Sequence, residues 1–156
     1  MSKTIVFGAT GQIGQAVARQ LVAEGRSVHL VGRDAEALSK LAVELGANHS
    51  LFDLAEPDTI SKAVQEASTD GALEGLVWAV GSILLKPLAR LSVSDFQHTY
   101  HINVIGAALA AQAAQQSLKI GKGSIVFFSS VAATQGFTNH AAISAAKAAV
   151  EGLAKA

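Results

Sequence analysis

The chain has 156 residues, half of them hydrophobic, and its 12 Lys+Arg balance 12 Asp+Glu, so it carries no formal net charge at pH 7. That length supports one well-buried core, and the neutral balance argues against nucleic acid or an anionic membrane surface as a partner, leaving a small molecule or a second copy. Cysteine is absent, which excludes disulfides, thiolate metal sites and a cysteine nucleophile and suits a reducing, cytoplasmic setting.

Short apolar or β-branched runs alternate with stretches of helical period, the pattern of βαβ units that build a parallel sheet. Met1-Ser2-Lys3 leads straight into a first strand at Thr4–Phe7, with no secretory apolar core before it. A helix is predicted over Gln12–Glu24, a second strand over Ser27–Val31, a helix over Asp34–Leu45 and a third strand over His49–Phe52. There follow a helix over Pro57–Ala67, a fourth strand over Gly75–Val80, a long helix over Ser94–Leu118 and a fifth strand over Ser124–Phe128. A last helix begins near Asn139 and is still running at Ala156. No apolar run approaches the ~18 residues needed to span a bilayer, so no membrane segment is expected.

Gly25, Gly46 and Gly121 fall just past three helix ends, where a left-handed residue closes off free carbonyls, while Asp34 and Pro57 mark an N-cap and a first-turn proline. These elements predict an α/β fold of one domain over residues 1–156: a doubly wound parallel sheet of order 3-2-1-4-5 between two helical layers. Small residues band the two last helices, Ala107, Ala108, Ala111 and Ala114 on one and Ala145, Ala146, Ala149 and Gly152 on the other. Such faces permit close helix packing, either inside the monomer or against another copy.

The strongest chemical signal lies between the first strand and first helix, in Gly8-Ala9-Thr10-Gly11-Gln12-Ile13-Gly14. Glycines at three-residue spacing allow a tight turn at Gly8, let a pyrophosphate approach amides near Gly11, Gln12 and Ile13, and bring the helix close to the sheet at Gly14. The helix amino end favours the negative charge. No Lys-Ser or Lys-Thr pair follows the glycines, which argues against a nucleoside-triphosphate loop. After the second strand, the position where a site for NAD usually places a carboxylate holds Gly32, followed by Arg33, whose guanidinium suits the 2′-phosphate of NADP. Asp34 remains available to NAD from a shifted loop, which is the less favoured reading. Asp53-Leu54 ends the third strand, and Asp53 can accept from an adenine amino group or simply form a turn.

Together with Val80-Gly81, Asn103-Val104-Ile105-Gly106, the run from Ser124 to Ala132, and Lys147, these residues resemble the short-chain dehydrogenases/reductases across essentially the whole chain. The family places a tyrosine thirteen residues after a catalytic serine and a lysine four further on; here Ser130, position 143 and Lys147 keep that register. The resemblance implies a Rossmann-type sheet in which Gly81 borders the cofactor, Asn103 kinks its helix and holds a water relay, Ser130 bonds the substrate oxygen, and Lys147 holds the nicotinamide ribose. It also implies a homodimer or homotetramer built on the long and last helices.

Several positions depart from the family. Position 143 is isoleucine, which has no proton to give, and the family's Asn-Asn-Ala-Gly reads Trp78-Ala79-Val80-Gly81, while its fingerprint threonine is Phe7. The chain also stops inside the last helix, whereas family members run on through further strands and a substrate lid, so it is expected to lack their carboxyl-terminal third. His140, one turn before Ile143, is a substitute proton donor or an ordinary loop histidine; Ser144 points elsewhere on the helix and has no activating base. His98 and His101 read as a solvated or interface pair, and with no carboxylate pair beside them no metal site is expected. The expected function is therefore an NADP(H)-dependent oxidoreductase acting on a small carbonyl or alcohol. The alternative is a regulator that senses NADPH without turnover.

Overall fold

The computed structural model describes residues 3–69 and 71–156. Its strands are β1 (Lys3–Phe7), β2 (Ser27–Gly32), β3 (Asn48–Leu51), β4 (Leu73–Trp78) and β5 (Ser124–Phe127). They form one parallel sheet in the order β3-β2-β1-β4-β5. The flanking helices are α1 (Gln12–Ala23), α2 (Ala35–Leu45), α3 (Asp58–Ala67), α4 (Val93–Tyr100), α5 (Gly106–Gly121) and α6 (Ala141–Lys155). The fold and strand order expected from the sequence are the ones found.

The chain groups into two compact units, one of residues 3–80 with Leu109–Val126 and the other of Gly81–Ala108 with Phe127–Ala156. In the first, β1 pairs with β2 from Lys3↔Ser27 to Phe7↔Val31 and with β4 from Thr4↔Gly75 to Phe7↔Trp78. Ile5, Val6, Phe7, Leu30, Val31, Leu73 and Leu76 are all fully buried. Strands covered on both faces read as continuous apolar runs, which is why β1, β2 and β4 stand out in the sequence.

Helix ends follow their local chemistry. Asp34 accepts from the Ala37 amide at 3.0 Å as the N-cap of α2, and Gly25 and Gly46 are left-handed at φ 76° and 60°. Pro57 lies one position outside α3, within the scatter of any helix boundary. Gly121 is not the left-handed residue expected. Lys122 takes that conformation at φ 50°, and Gly121 is required for another reason: an added β-carbon there would lie 2.1 Å from the Leu73 carbonyl oxygen.

The single long helix predicted over Ser94–Leu118 is instead α4, a π-helical turn (His101–Ile105) and α5. Ser92 opens α4 with a reciprocal capping box to Asp95. Lys86 donates to Asp95 at 2.7 Å, and this ammonium, then the Ser92 amide and hydroxyl, hold the Asp95 carboxyl down at about 2. Short 3₁₀ turns at Leu88–Arg90 and Val131–Ala133 were not anticipated.

A buried polar chain in the first unit ties β2, β3 and α3 together. His29 Nε2 lies 2.7 Å from Ser50 Oγ, and that hydroxyl donates to the Glu66 carboxylate. Because the serine proton goes to Glu66, Nε2 carries the imidazole proton and donates to Ser50. Burial, then the nearby Lys3 and His49, push the His29 pKa down to about 4 from 6.5, against the opposing pull of Glu66. A depressed histidine pKa means that the fold binds the neutral form, so this contribution is whole above the unfolded value and is lost as pH falls through about 4. The urea midpoint should therefore drop between pH 6.5 and 4. His29→Gln, which still donates to Ser50 and does not titrate, should flatten that dependence; parallel slopes for the two proteins would contradict the assignment.

Candidate functional site

The first unit presents the glycine turn. β1 ends at Phe7, Gly8 turns at φ 76°, and the Gly11 amide donates to the Gly8 carbonyl at 3.0 Å. A β-carbon on Gly8 would lie 2.8 Å from the Ala79 carbonyl group, and one on Gly14 would lie 2.1 Å from the Gly8 oxygen. Gly14 is thus required by the contact of α1 with the strand end. Gly11 is the N-cap of α1, and among the described residues no side chain caps that helix or accepts from its first-turn amides. Gln12 and Ile13, the first two helical residues, are exposed there. A cradle shaped by missing β-carbons and an uncapped helix amino end fits a dinucleotide's pyrophosphate.

Thr10 packs over the end of β2. A β-carbon on Gly32 would meet Thr10 Cγ2 and Leu38 Cδ1, each at 3.3 Å, which is tighter than ordinary contact. Arg33, next along, is exposed and makes no ion pair among the described residues. Asp53 also lies on the surface, but its Oδ1 accepts from the Ala55 amide at 2.9 Å, so it serves as a turn former. Leu54 is buried beside it. Behind these loops Phe7, Phe52 and Trp78 form a closed cluster, with Phe7 tilted on Trp78 at 5.0 Å and Phe52 edge-on to both.

The second unit gathers Gly81, Asn103 and Lys147. Asn103 is buried at the centre of the π-helical turn, and its Nδ2 donates to the Thr99 carbonyl at 2.9 Å and to Ser82 at 3.4 Å. The π turn shifts backbone pairing by one residue around Asn103, whose side-chain amide bonds back to the Thr99 carbonyl one turn earlier. A β-carbon on Gly81 would lie 3.1 Å from Asn103 Oδ1, tighter than ordinary contact, and 3.8 Å from Lys147 Nζ, which places both polar atoms beside Gly81. Lys147 donates from α6 to the Phe128 carbonyl at 2.8 Å, and burial lowers its pKa.

Ser130 is exposed, and its hydroxyl accepts from the Ala132 amide at 3.2 Å to start a 3₁₀ turn. Its neighbour Ser129, missed in the sequence, bonds Glu151 at 2.6 Å and so braces α6. Ile143 is 3% exposed and belongs to the core. Ser144 donates its amide to the His140 carbonyl as an ordinary helical residue. His98 and His101 line a mostly apolar cleft of about 600 Å³ with Phe96, Tyr100 and Ile105. Among the described residues no group of three or more His, Asp or Glu gathers to hold a metal, and no helix is long and apolar enough to cross a membrane.

The model of the short chain dehydrogenases matches residues 2–156. The chain belongs to the short-chain dehydrogenase/reductase family. It is 33% identical to D-threitol dehydrogenase of Mycolicibacterium smegmatis over 97% of this chain and 61% of that protein. It is 31% identical to mouse 3-oxoacyl-[acyl-carrier-protein] reductase over 96% of this chain and 65% of that protein. A short-chain dehydrogenase from Shigella flexneri, solved as a complex with NADP, superposes with a TM-score of 0.90 at 26% identity, covering 97% of this chain and 68% of that one. The chain thus spans a little under two thirds of the curated relatives it matches. Within this family its departures are coordinated, since Phe7 and Trp78, which replace two polar family residues, stack on each other.

Gly14→Ala should lower stability by ~3 kcal/mol or more, because backbone must move to admit the methyl group. Gly152, with nothing within 4 Å of its β-carbon position, should instead gain ~0.5–1 kcal/mol on conversion to alanine. Paired urea melts check both, and equal effects would contradict the close approach at Gly14.

Proposed function

We propose that this protein is an NADP(H)-dependent oxidoreductase that transfers hydride between the nicotinamide and a small carbonyl or alcohol. The observation that carries the reading is the Gly8–Gly14 turn, a tight backbone cradle at an uncapped helix amino end. The cofactor, when bound, supplies or accepts the hydride. In the first unit Gly8, Thr10, Gly11, Gln12, Ile13 and Gly14 receive its pyrophosphate side, and Asp53 and Leu54, just past β3, serve its adenine side while Asp53 Oδ1 keeps its turn amide; in the second unit Gly81 belongs to the cofactor-binding set.

NADP is favoured over NAD by two features of one strand end. Gly32 sits under Thr10 and Leu38, which disfavours a carboxylate-bearing side chain there, and Arg33 is an exposed guanidinium without an ion-pair partner among the described residues. A relative solved with NADP supports the same choice. Lys147 holds the nicotinamide ribose, Ser130 bonds the substrate oxygen by releasing its turn amide, and Asn103 orders the surroundings of Lys147. Relatives named for a threitol dehydrogenase and a 3-oxoacyl reductase support carbonyl and alcohol chemistry.

Assembly into a homodimer or homotetramer in the cytoplasm belongs to this reading. The small-residue face of α5 is divided: Ala107, Ala110 and Ala114 are fully buried within the chain, while Ala108 and Ala111 stay half-exposed for a second copy. A light-scattering mass equal to one chain would remove the oligomer. The competing sensor reading draws on Ile143, which is core where the family has its acid.

Fluorescence titration with NADPH and NADH tests the cofactor choice. NADPH should bind more tightly, and Arg33→Ala should weaken NADPH by about 10- to 100-fold, the value of one charge-assisted pair, while leaving NADH nearly unchanged. Equal losses for both dinucleotides would contradict the role of Arg33. NADPH binding with no turnover over a panel of carbonyls would favour the sensor.

A further inference from the structure

Ile143 and Lys147, four apart, share a stripe of α6, and His140 is the N-cap of that helix, three residues before Ile143. A helical side chain leans back over the turn that precedes its own α-carbon. A tyrosine at position 143 would therefore carry its hydroxyl toward the turn opened by His140. Ile143 leaves that place without a proton, being apolar and 3% exposed.

The imidazole of His140 is held in one orientation. Its Nδ1 lies 2.7 Å from the Thr138 carbonyl oxygen, which can only accept, so Nδ1 carries a proton and Nε2 is the exchangeable position. The Phe137 ring packs on the imidazole at 5.4 Å, and the His140 carbonyl accepts the Ser144 amide at 2.8 Å, which anchors the residue to α6. Asn139 before it is left-handed at φ 65°, and its carbonyl accepts the Lys86 amide at 3.0 Å. Lys86 in turn is paired with Asp95, so the charged groups bound to this segment are already matched. Half-buried, restrained on both sides and with one nitrogen uncommitted, His140 has what the vacant position lacks.

We propose that His140 is the acid that replaces the family's tyrosine, an assignment that rests on the oxidoreductase reading above. In reduction, the carbonyl carbon gains a hydride from the reduced nicotinamide dinucleotide as the carbonyl oxygen takes the Nε2 proton. The imidazolium becomes neutral imidazole and regains its proton from solvent. Alcohol oxidation runs the same transfers backwards.

The test compares the unaltered protein with His140→Ala, His140→Asn and the double variant His140→Ala/Ile143→Tyr. Asparagine can still donate to Thr138 and so preserves the loop; circular dichroism checks folding of each. Both single variants should bind NADPH within about twofold of the original, yet lose about 100-fold or more in kcat. Free imidazole should rescue His140→Ala, and the added tyrosine should restore turnover. Independently of turnover, ¹⁵N spectra of the imidazole should show Nδ1 protonated and a shift at Nε2 on adding NADPH. If His140→Ala and His140→Asn keep their kcat, the proposal is wrong and the oxidoreductase reading stands. If the unaltered protein binds NADPH and reduces no carbonyl, that reading fails and the role of His140 falls with it.

Discussion

No β-carbon fits between the start of α1 and the end of β1. A methyl group on Gly14 would reach to 2.1 Å from the Gly8 oxygen, and one on Gly8 would press on the Ala79 carbonyl at 2.8 Å. This contact lays the helix directly on the strand end and leaves its amino terminus facing the turn. Everything assigned to the first unit depends on that placement. The uncapped amides then form the positive end of a helix dipole at the place where a phosphate would lie. Thr10, held over Gly32, keeps the second strand's exit small, and Arg33 follows as the exposed charge.

The second unit solves a different problem, which is how to bury polar groups beside an ammonium. Asn103 lies in a π-helical turn, and its side-chain amide donates to the Thr99 carbonyl. Asn103 Oδ1 is then a buried acceptor with no donor among the described residues, close to the missing β-carbon of Gly81 and near Lys147. Burial costs a lysine part of its affinity for the proton, which explains the lowered pKa of Lys147, and the Phe128 carbonyl offsets part of that cost. A restrained lysine of this kind is suited to holding hydroxyl groups, and Ile143 on the same helix shows that the unit has kept the lysine without the family's acid.

Much of this was legible before any coordinates. The strands are continuous apolar runs because they are covered on both faces, and Gly8, Gly11 and Gly14 declare themselves through spacing and position after a strand. Asp34, Gly25 and Gly46 act at helix ends as their chemistry dictates. The interruption at His101–Ile105 was not visible in the apolar periodicity, because one inserted residue leaves that periodicity nearly intact and involves no proline; only the family resemblance put a kink at Asn103. Gly121 was misread since a glycine after a helix has two uses, and only the distance to the Leu73 carbonyl separates close approach from a left-handed cap. The His29–Ser50–Glu66 chain draws one residue from each of three elements, so no local spacing announces it. For Ser130 the register was readable, whereas the use of its hydroxyl by the Ala132 amide was not.

The central claim is that the backbone amides at the glycine turn receive the dinucleotide's phosphates. A ¹⁵N–¹H correlation spectrum recorded through a titration with NADPH examines it directly, one amide at a time. Saturable shifts should be largest at Gly8, Gly11, Gln12, Ile13 and Gly14, with a second group at Thr10 and Arg33. Saturation with those amides unmoved, or a spectrum that does not change at all, would contradict the account.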